Sequence, residues 1–407
     1  MSLNRRRLIL LFVFSFGLLA LSTAGLTHVS LFGLAVATAP DTTAGGASPA
    51  KGDTRMQLIQ QYTQWIEEEQ EWIAWTQLPQ GPFPTGRRVV PYFANFATFG
   101  LLVDEGDGPA YGAAVRRHLE WYLAHLERPD YLGIRGTVYD YELSWDGVLR
   151  PTGDYDSSDS YGATFFSALR RYYEITGDRE FVQKHRAELE EIAGAVLATQ
   201  QRDGLTWAKP NYRVKYLMDN SEVYRGLADL AFLCREVLGD AALADRYQAK
   251  ADQVRRGIER YLWKGDHYAM AIDDRGQAFP WDGKKWYPDA TSQLFPIWLG
   301  VIDPQSDRAR QVYQRFNQEQ PGWVRLEKDD PFPWATMGYA AAVMGDYDRA
   351  DQYVRAVRAH YVEAGRRSWP WHPSEASFYV LTLAELRQAV ASGQWPGGGP
   401  SPAASRP

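Results

Sequence analysis

Carboxyl side chains stand at the start of several segments that are predicted to be apolar helices. The clearest case is the run Asp-Ser-Ser-Asp-Ser-Tyr-Gly at residues 156–162, and Asp219, Glu222 and Asp289 occupy comparable places farther along the chain. Aromatic residues accompany these acids, and those expected on the same rim are Tyr161, Trp207, Trp286, Trp334 and Trp371. Carboxyl groups can exchange protons with a reacting bond, and flat aromatic faces can stack on sugar rings. The combination suggests a carbohydrate ligand.

Apolar periodicity predicts about twelve helices of two alternating kinds. One kind is amphipathic and is therefore expected outside, near residues 54–75, 109–126, 179–200, 241–262, 306–319 and 347–363. The other kind is apolar or small around most of its circumference and is therefore expected inside, near residues 90–103, 158–174, 220–236, 290–301, 333–344 and 375–389. Such hairpins bury their inner helices only if they close into a ring, so the predicted fold class is all-α, an (α/α)6 toroid.

The turns of the predicted toroid differ in length at its two ends. Gly-Asp pairs at residues 177–178, 239–240 and 345–346 are expected to end an inner helix and to cap the next outer helix. The connections from outer to inner helices are longer, and two of them contain patterns typical of small β-hairpins, at residues 137–149 and 267–276. Long loops gathered at one end of a fold usually build its functional face.

Both ends of the chain differ in composition from its middle. Residues 1–39 place three arginines before an apolar run and a small-residue stretch, as in a signal peptide, although a retained membrane anchor is the alternative. Residues 40–53 are predicted to be a flexible linker, residues 54–389 the toroid domain, and residues 390–407 a disordered tail. The protein is therefore expected to be exported to the periplasm or the extracellular space, with a possible membrane tether through its N-terminus.

The composition narrows the kinds of partner. Without the leader's three arginines the formal net charge falls from -6 to -9 and no basic cluster remains, which argues against nucleic acid. The one cysteine, Cys234, lies in an apolar run and is expected to be buried. No Walker loop, dinucleotide fingerprint or Cys/His metal spacing is present, so neither a cofactor nor a metal is expected. The expected partner is a polysaccharide or oligosaccharide substrate, bound by a monomer.

At three segments the sequence resembles the six-hairpin glycosidase superfamily, and within it most resembles glycoside hydrolase family 8, which contains endoglucanases. Residues 157–162 are similar to the family's Ser-Glu-Gly-Gln-x-Tyr-Gly segment, residues 219–222 to its Asp-rich helix start, and residues 287–290 to its Tyr-Asp-Ala segment. Aligned on Tyr-Gly, the family's catalytic glutamate falls on Ser157, which is not an acid. The resemblance implies an endo-acting hydrolase of a β-glucan-like polysaccharide that inverts the configuration of the cleaved bond.

Cleavage of a glycosidic bond needs one carboxyl as acid and a second as base or nucleophile. We assign Asp159 as general acid, with Asp156 as the alternative, Asp289 as base, and Asp219 as the group that orients the sugar or the water. Glu222, Tyr161 and the four tryptophans are assigned to substrate binding. The alternative is that these acids only cap helices. Asp156 and Asp159 have the spacing of an N-cap and its third residue, and so do Asp219 and Glu222.

Two other functions remain open at the level of sequence. A polysaccharide lyase on a related toroid would use a tyrosine or histidine base, for which Tyr161, Tyr212 and His372 are the candidates. A glycan-binding protein of exopolysaccharide assembly would keep the toroid without catalysis, and Ser157 at the family's glutamate position favours it.

Overall fold

A computed structural model describes residues 51–103 and 110–397. The predicted leader, most of the linker and the last ten residues of the predicted tail lie outside the described residues. No helix in the described ranges is long and apolar enough to cross a membrane.

The described helices form six consecutive pairs of an outer and an inner helix. The outer members are α1 (Lys51–Thr76), α3 (Gly112–Ala124), α5 and α6 (Arg179–Lys184 and Arg186–Ala198), α8 (Ala241–Gly257), α10 (Asp307–Glu319) and α12 (Tyr347–Val357). The inner members are α2 (Pro91–Leu101), α4 (Ser158–Thr176), α7 (Leu217–Glu236), α9 (Phe295–Trp298), α11 (Ala335–Val343) and α13 (Pro373–Ser392). π-Helical turns extend α8 through Ile258–Leu262 and α12 through Arg358–Ala364, and another, Trp286–Ala290, precedes α9.

The inner helices close into a ring. Each contacts the next in the order α2, α4, α7, α9, α11 and α13, and α13 contacts α2. This confirms the predicted (α/α)6 toroid. In a ring of six members, α7 and α13 lie opposite each other. The two halves of the site described below are at the starts of these two helices.

Aromatic side chains fill the interior of the ring. Phe96 of α2, Trp298 of α9 and Phe378 of α13 meet with ring centroids 5.2–6.1 Å apart. All three belong to one large core, in which Cys234 is also buried as predicted. Because such rings bury a large apolar area, they stabilise the centre of the toroid without a disulfide.

The short turns follow the predicted Gly-Asp pattern. Gly177, Gly239 and Gly345 adopt φ values of 67°, 68° and 75°, the left-handed conformation that glycine takes at a helix end. Asp178, Asp240 and Asp346 cap the following outer helices, and each accepts a hydrogen bond from the backbone N–H three residues on.

Small antiparallel sheets lie in the long loops. β1 (Arg88–Val89) pairs with β2 (Tyr141–Leu143), which pairs with β3 (Leu149–Pro151) in the predicted first hairpin. The second hairpin is placed differently from the prediction. β5 (Ala271–Ile272) pairs with β4 (Lys215–Tyr216) from the preceding loop, and only Ile272 bridges back to Ala278.

Two boundaries differ from the prediction for identifiable reasons. The fourth inner helix is predicted over residues 290–301 but spans only Phe295–Trp298, because Pro296 supplies no backbone N–H and Gly300 turns left-handed at φ 75°. The last inner helix is predicted to end near residue 389, yet α13 continues to Ser392. Trp395 packs on Tyr347, and its indole N–H donates to Asp348 at 2.9 Å.

Candidate active site

The N-terminal ends of the inner helices share one rim of the toroid, because every long loop enters an inner helix at that end. Acids at the starts of α4 and α7 form a cluster of four carboxyl groups: Asp156, Asp159, Asp219 and Glu222. Burial raises the pKa of Asp219 well above its usual range, and the charges of the other three raise it further. Mutual repulsion between the charges therefore favours a protonated form within the cluster.

Glu222 is held by one hydrogen bond and keeps one oxygen unused. The Tyr92 hydroxyl, from the first turn of α2, donates to Oε1 of Glu222 at 2.6 Å. Oε2 is buried and has no hydrogen-bond partner among the described residues. Burial raises the pKa of Glu222 well above its usual range, and the charge of Asp159 adds to this. Burial and the neighbouring charge therefore both favour the protonated form of Glu222.

The helix boundary removes the capping explanation for Glu222. α7 begins at Leu217, with Tyr216 as its N-cap, so Asp219 lies in the first turn and Glu222 in the second. Asp219 is half-buried, whereas only 2% of Glu222 is exposed. The two carboxyls therefore lie at different depths below the rim.

Asp159 is buried and bound by its own helix start. Its Oδ1 accepts from the Ser157 hydroxyl at 2.6 Å and from the Ser160 backbone N–H at 2.8 Å. Ser157 is the N-cap of α4, which gives a structural role to the residue at the family 8 glutamate position. Burial raises the pKa of the Asp159 carboxyl, while its hydrogen bonds with Ser157, Thr206 and the Ser160 N–H oppose the shift.

Asp156 is the exposed member of the cluster. The surrounding protein nevertheless desolvates its carboxyl and raises its pKa to about 6, with the Lys209 charge acting in the opposite direction. Lys209 itself donates to Asp154 at 2.9 Å and to the Tyr155 carbonyl at 2.6 Å.

A second acidic group lies across the ring at the start of α13. Oε2 of Glu375 accepts a hydrogen bond from the Ala335 backbone N–H at 2.6 Å. Burial raises the pKa of Glu375 to about 7, while that hydrogen bond and the Lys328 charge oppose the shift and Asp330 supports it. Because α13 lies opposite α7 in the ring, Glu375 and Glu222 belong to opposite sides of it.

Tyr287 and Trp334 lie between the two acidic groups. Burial raises the pKa of Tyr287 well above its usual range, as do the charges of Asp156 and Asp219 on one side and Asp330 on the other. Its ring centroid is 5.0 Å from that of Trp334. Trp334 has a φ of 59°, which is rare for so bulky a residue. Strain of this kind persists at functional sites because the surrounding structure fixes it.

The contacts given for the Asp289 carboxyl lie within its own loop. Its Oδ1 accepts from the Asp282 backbone N–H at 3.0 Å, and Lys285 lies 3.7 Å from its Oδ2. Burial raises the pKa of Asp289. The hydrogen bond from the Asp282 N–H and the charge of Lys285, both in the same loop, act to lower it. The side chain thus holds the loop ahead of α9 in place.

The five aromatic residues expected on the rim differ in how far protein covers them. Trp286 and Trp371 belong to the core, where Trp286 packs on Phe316 and Trp371 on Tyr361, so protein covers the faces expected to stack on sugar. Trp334 lies on the rim as described. The other two side chains also contact protein: Trp207 is half-buried beneath Arg213, and the Tyr161 hydroxyl donates to Asp140 at 2.9 Å.

The candidate lyase bases are placed less favourably than the acids. Burial raises the pKa of Tyr161 well above its usual range and lowers that of His372 to about 4. The Tyr212 hydroxyl lies 2.8 Å from that of Tyr216 and its pKa is raised, mainly by burial. Neither tyrosine would lose its proton readily at neutral pH. Among the described residues no group of three or more His, Cys, Asp and Glu has an arrangement that could hold a metal ion.

Sequence reasoning assigned no role to Tyr92, Tyr287 or Glu375, although Glu375 stood among the acids at helix starts and Tyr287 in the segment 287–290. The available signal was position, because each lies within three residues of the start of an inner helix or of the turn that precedes one. Which of these side chains face one another depends on ring closure, and local sequence does not encode that.

Solved structures share this fold. No known protein family and no curated protein matches the sequence. A structure described as a wild-type glycosidase aligns with 81% of this chain and 97% of its own, at a TM-score of 0.58 and 14% identity. A glycosidase variant in complex with glucose covers 82% and 98%, at a TM-score of 0.56 and 14% identity. An uncharacterized conserved protein from Thermus thermophilus covers 78% and 99%, at a TM-score of 0.54 and 14% identity. The fold is that of these structures.

Proposed function

We propose that this protein is an exported glycoside hydrolase that uses carboxyl groups as acid and base on an oligosaccharide or polysaccharide. The observation that carries the proposal is the placement of Glu222 and Glu375 at the starts of opposite inner helices, with raised pKa values on both. The glycosidase-like fold supports it, and one of the similar structures is a glycosidase that holds glucose.

Glu222 is proposed as the general acid. Its pKa is raised by burial and by Asp159, so the carboxyl is protonated at neutral pH, and the Tyr92 hydrogen bond fixes Oε1. The proton then resides on Oε2, from which it passes to the leaving oxygen as the bond from the anomeric carbon to that oxygen breaks.

Glu375 is proposed as the general base. Ala335 N–H fixes one of its oxygens at 2.6 Å, and the Lys328 charge favours its ionised form. A water beside Glu375 attacks the anomeric carbon from the face opposite to Glu222, and Glu375 takes the proton that this water loses. Attack and departure on opposite faces invert the configuration, as the sequence resemblance implies.

These assignments change the proposed roles of the acids singled out from the sequence. Asp159 is proposed to raise the pKa of the acid and to keep the α4 helix start in place, and Asp219 is proposed to keep the α7 helix start in place. Asp156, the exposed member, is proposed to bind sugar hydroxyls. Asp289 is proposed to position the loop before α9 rather than to act as base. The family 8 resemblance, endo action and export rest on the sequence patterns alone.

The experiment is product release by residues 40–407 from β-glucans, α-glucans and amino-sugar polymers, measured as new reducing ends. Glu222→Gln and Glu375→Gln should each lose at least about a hundredfold in rate, since general acid and base groups contribute about 10²–10⁴. Glu236→Gln, at the far end of α7 and exposed, is the matched control and should keep full activity.

Two outcomes would redirect the proposal. Release of products with ultraviolet absorbance from a new double bond would indicate the lyase. Binding of a glycan without any product from any polymer would indicate the glycan-binding protein and would contradict hydrolysis.

A further inference from the structure

Two strongly exposed tryptophans lie on a connected path that leads away from Glu375. Trp369 is 49% exposed and Trp145 is 93% exposed, which is unusual for the largest aromatic side chain. We infer that Trp369 and Trp145, with Arg87 between them, form a track for a glycan chain of several units, so that the substrate is an extended chain and not a small glycoside. This inference rests on the proposed function, because it continues the same site outward.

The path begins at the start of α13. His372, the N-cap of α13, lies three residues before Glu375, and its ring centroid is 5.9 Å from that of Trp369. Phe332, from the loop before α11, meets Trp369 edge to face at 5.4 Å. Trp369 therefore packs beside the N-cap of the helix that carries the proposed base, and the rings of His372 and Phe332 support it.

The path continues through a turn at residues 85–88. Gly86 has a φ of 61°, and a Cβ built on it would lie 3.4 Å from the Trp369 ring, so the backbone passes against the indole. The next residue, Arg87, places its guanidinium 3.4 Å from the centroid of the Trp145 ring and donates to the Leu143 carbonyl at 3.1 Å. Trp145 is thereby fixed at the tip of the β2–β3 hairpin.

The loop that carries Trp369 is strained and anchored. Arg366 and Arg367 adopt φ values of 50° and 52°, which is uncommon for two successive non-glycine residues. Arg367 is held by a 2.7 Å ion pair with the buried Glu69. Strained backbone of this kind persists at functional sites, where the surrounding structure fixes it. Here the strained loop holds Trp369 beside the rim.

The chemistry of the path fits a sugar chain better than a protein partner. The two indoles are separated by a polar turn and do not form one contiguous apolar patch, which is what a protein interface would require. Aromatic faces alternating with guanidinium and backbone donors match a ligand whose rings present an apolar face and hydroxyl edges in repetition.

The experiment measures binding by calorimetry in the Glu375→Gln background, so that no substrate is consumed. The probes are cello-, malto- and chito-oligosaccharides of two to six units. For the series that binds, affinity should increase with chain length. Adding Trp369→Ala should remove that increase and weaken the longest probe about tenfold, while Trp369→Phe should restore most of it. Trp145→Ala should weaken only the longer probes.

Trp75→Ala is the matched control, because Trp75 is 80% exposed at the end of α1 and outside the path. The inference is overturned if affinity does not change with chain length, if no series binds, or if Trp369→Ala behaves like Trp75→Ala. Length-dependent binding that needs Trp369, in a protein whose wild type releases no product, would support the track while contradicting the hydrolase.

Discussion

Tyr92 and Glu222 form the contact on which the proposed acid chemistry most depends. The hydroxyl donates at 2.6 Å, and this hydrogen bond favours the ionised form of Glu222 against the larger effect of burial. Tyr92→Phe should therefore raise the pKa of Glu222 further. Because the acid must be protonated, the alkaline limb of the profile of kcat/KM against pH should move to higher pH.

Tyr173→Phe is the control for Tyr92→Phe. The Tyr173 hydroxyl accepts from Arg179 at the far end of α4, so its removal should leave the alkaline limb in place. An alkaline limb that does not move in Tyr92→Phe, at unchanged thermal stability, would mean that the group which must be protonated does not contact Tyr92 and that Glu222 is not the donor.

Glu375 should determine the acidic limb. Its pKa is raised by burial to about 7, and a base must be ionised, so activity should fall as pH drops below about 7. The Lys328 charge lowers this pKa, and Lys328 also donates to the Asp330 carbonyl at 2.6 Å. Lys328→Gln keeps a donor and removes the charge, so the acidic limb should move to higher pH. An unmoved limb would show that Glu375 does not titrate in catalysis.

The residue roles show where reading the sequence alone reaches its limit. The acids of α4 and α7 were identifiable, since carboxyls before apolar helices are visible in the sequence. Their roles were not, because α7 begins at Leu217, three residues before the predicted start, and that shift turns Glu222 from a capping group into an inward-facing one. The partner Tyr92 lies 130 residues away in sequence.

At the scale of elements, the contact between α4 and α7 sets the spacing of the acid cluster. Gly226, one turn below Glu222, lies against α4 so closely that a Cβ would clash with the backbone of Ala163. Gly226→Ala should force the helices apart, destabilise the protein by about 1–3 kcal/mol and reduce kcat by at least about tenfold. Thermal unfolding and steady-state kinetics together check this.

Gly194→Ala is the control for Gly226→Ala. Gly194 lies in α6, and a Cβ there would meet nothing within 4 Å. Alanine should be neutral or stabilise by up to about 1 kcal/mol, because it favours the helix. Equal effects from both substitutions would contradict the argument from close helix contact.

Most elements could be predicted from the sequence because apolar periodicity and the Gly-Asp turns are local signals. Eleven of the twelve expected helical segments have helices within a few residues of their predicted bounds in the described chain, whereas the fourth inner helix shrinks to Phe295–Trp298. Strand pairing was less accessible, because β5 pairs with β4 from a different loop and no local pattern reports that choice.

At the scale of the whole molecule, the buried acids should make stability depend on pH. The pKa values of Glu375 and Asp140 are raised by burial to about 7, above the value of about 4 expected in the unfolded chain. Between these values the folded protein holds protons that the unfolded chain has released. Stability contributed by these groups is therefore present at low pH and is lost as pH rises through 7.

Glu375→Gln isolates the contribution of one such group. The variant should gain stability relative to the wild type as pH rises from 6 to 8, with its midpoint of thermal unfolding higher by roughly 2 °C or more at pH 8. Thermal unfolding by circular dichroism at both pH values measures this. A difference between the two proteins that stays constant with pH would show that Glu375 is ionised in both states throughout.

The central claim is that Glu222 gives the proton and Glu375 activates the water, and the most direct test separates these roles by leaving group. Rates are measured on an oligosaccharide and on the corresponding glycosyl fluoride, whose leaving group needs little protonation. The account predicts that Glu222→Gln loses at least about a hundredfold on the oligosaccharide but far less on the fluoride, whereas Glu375→Gln loses on both. Equal losses of Glu222→Gln on the two substrates, or full activity in either variant, would contradict it.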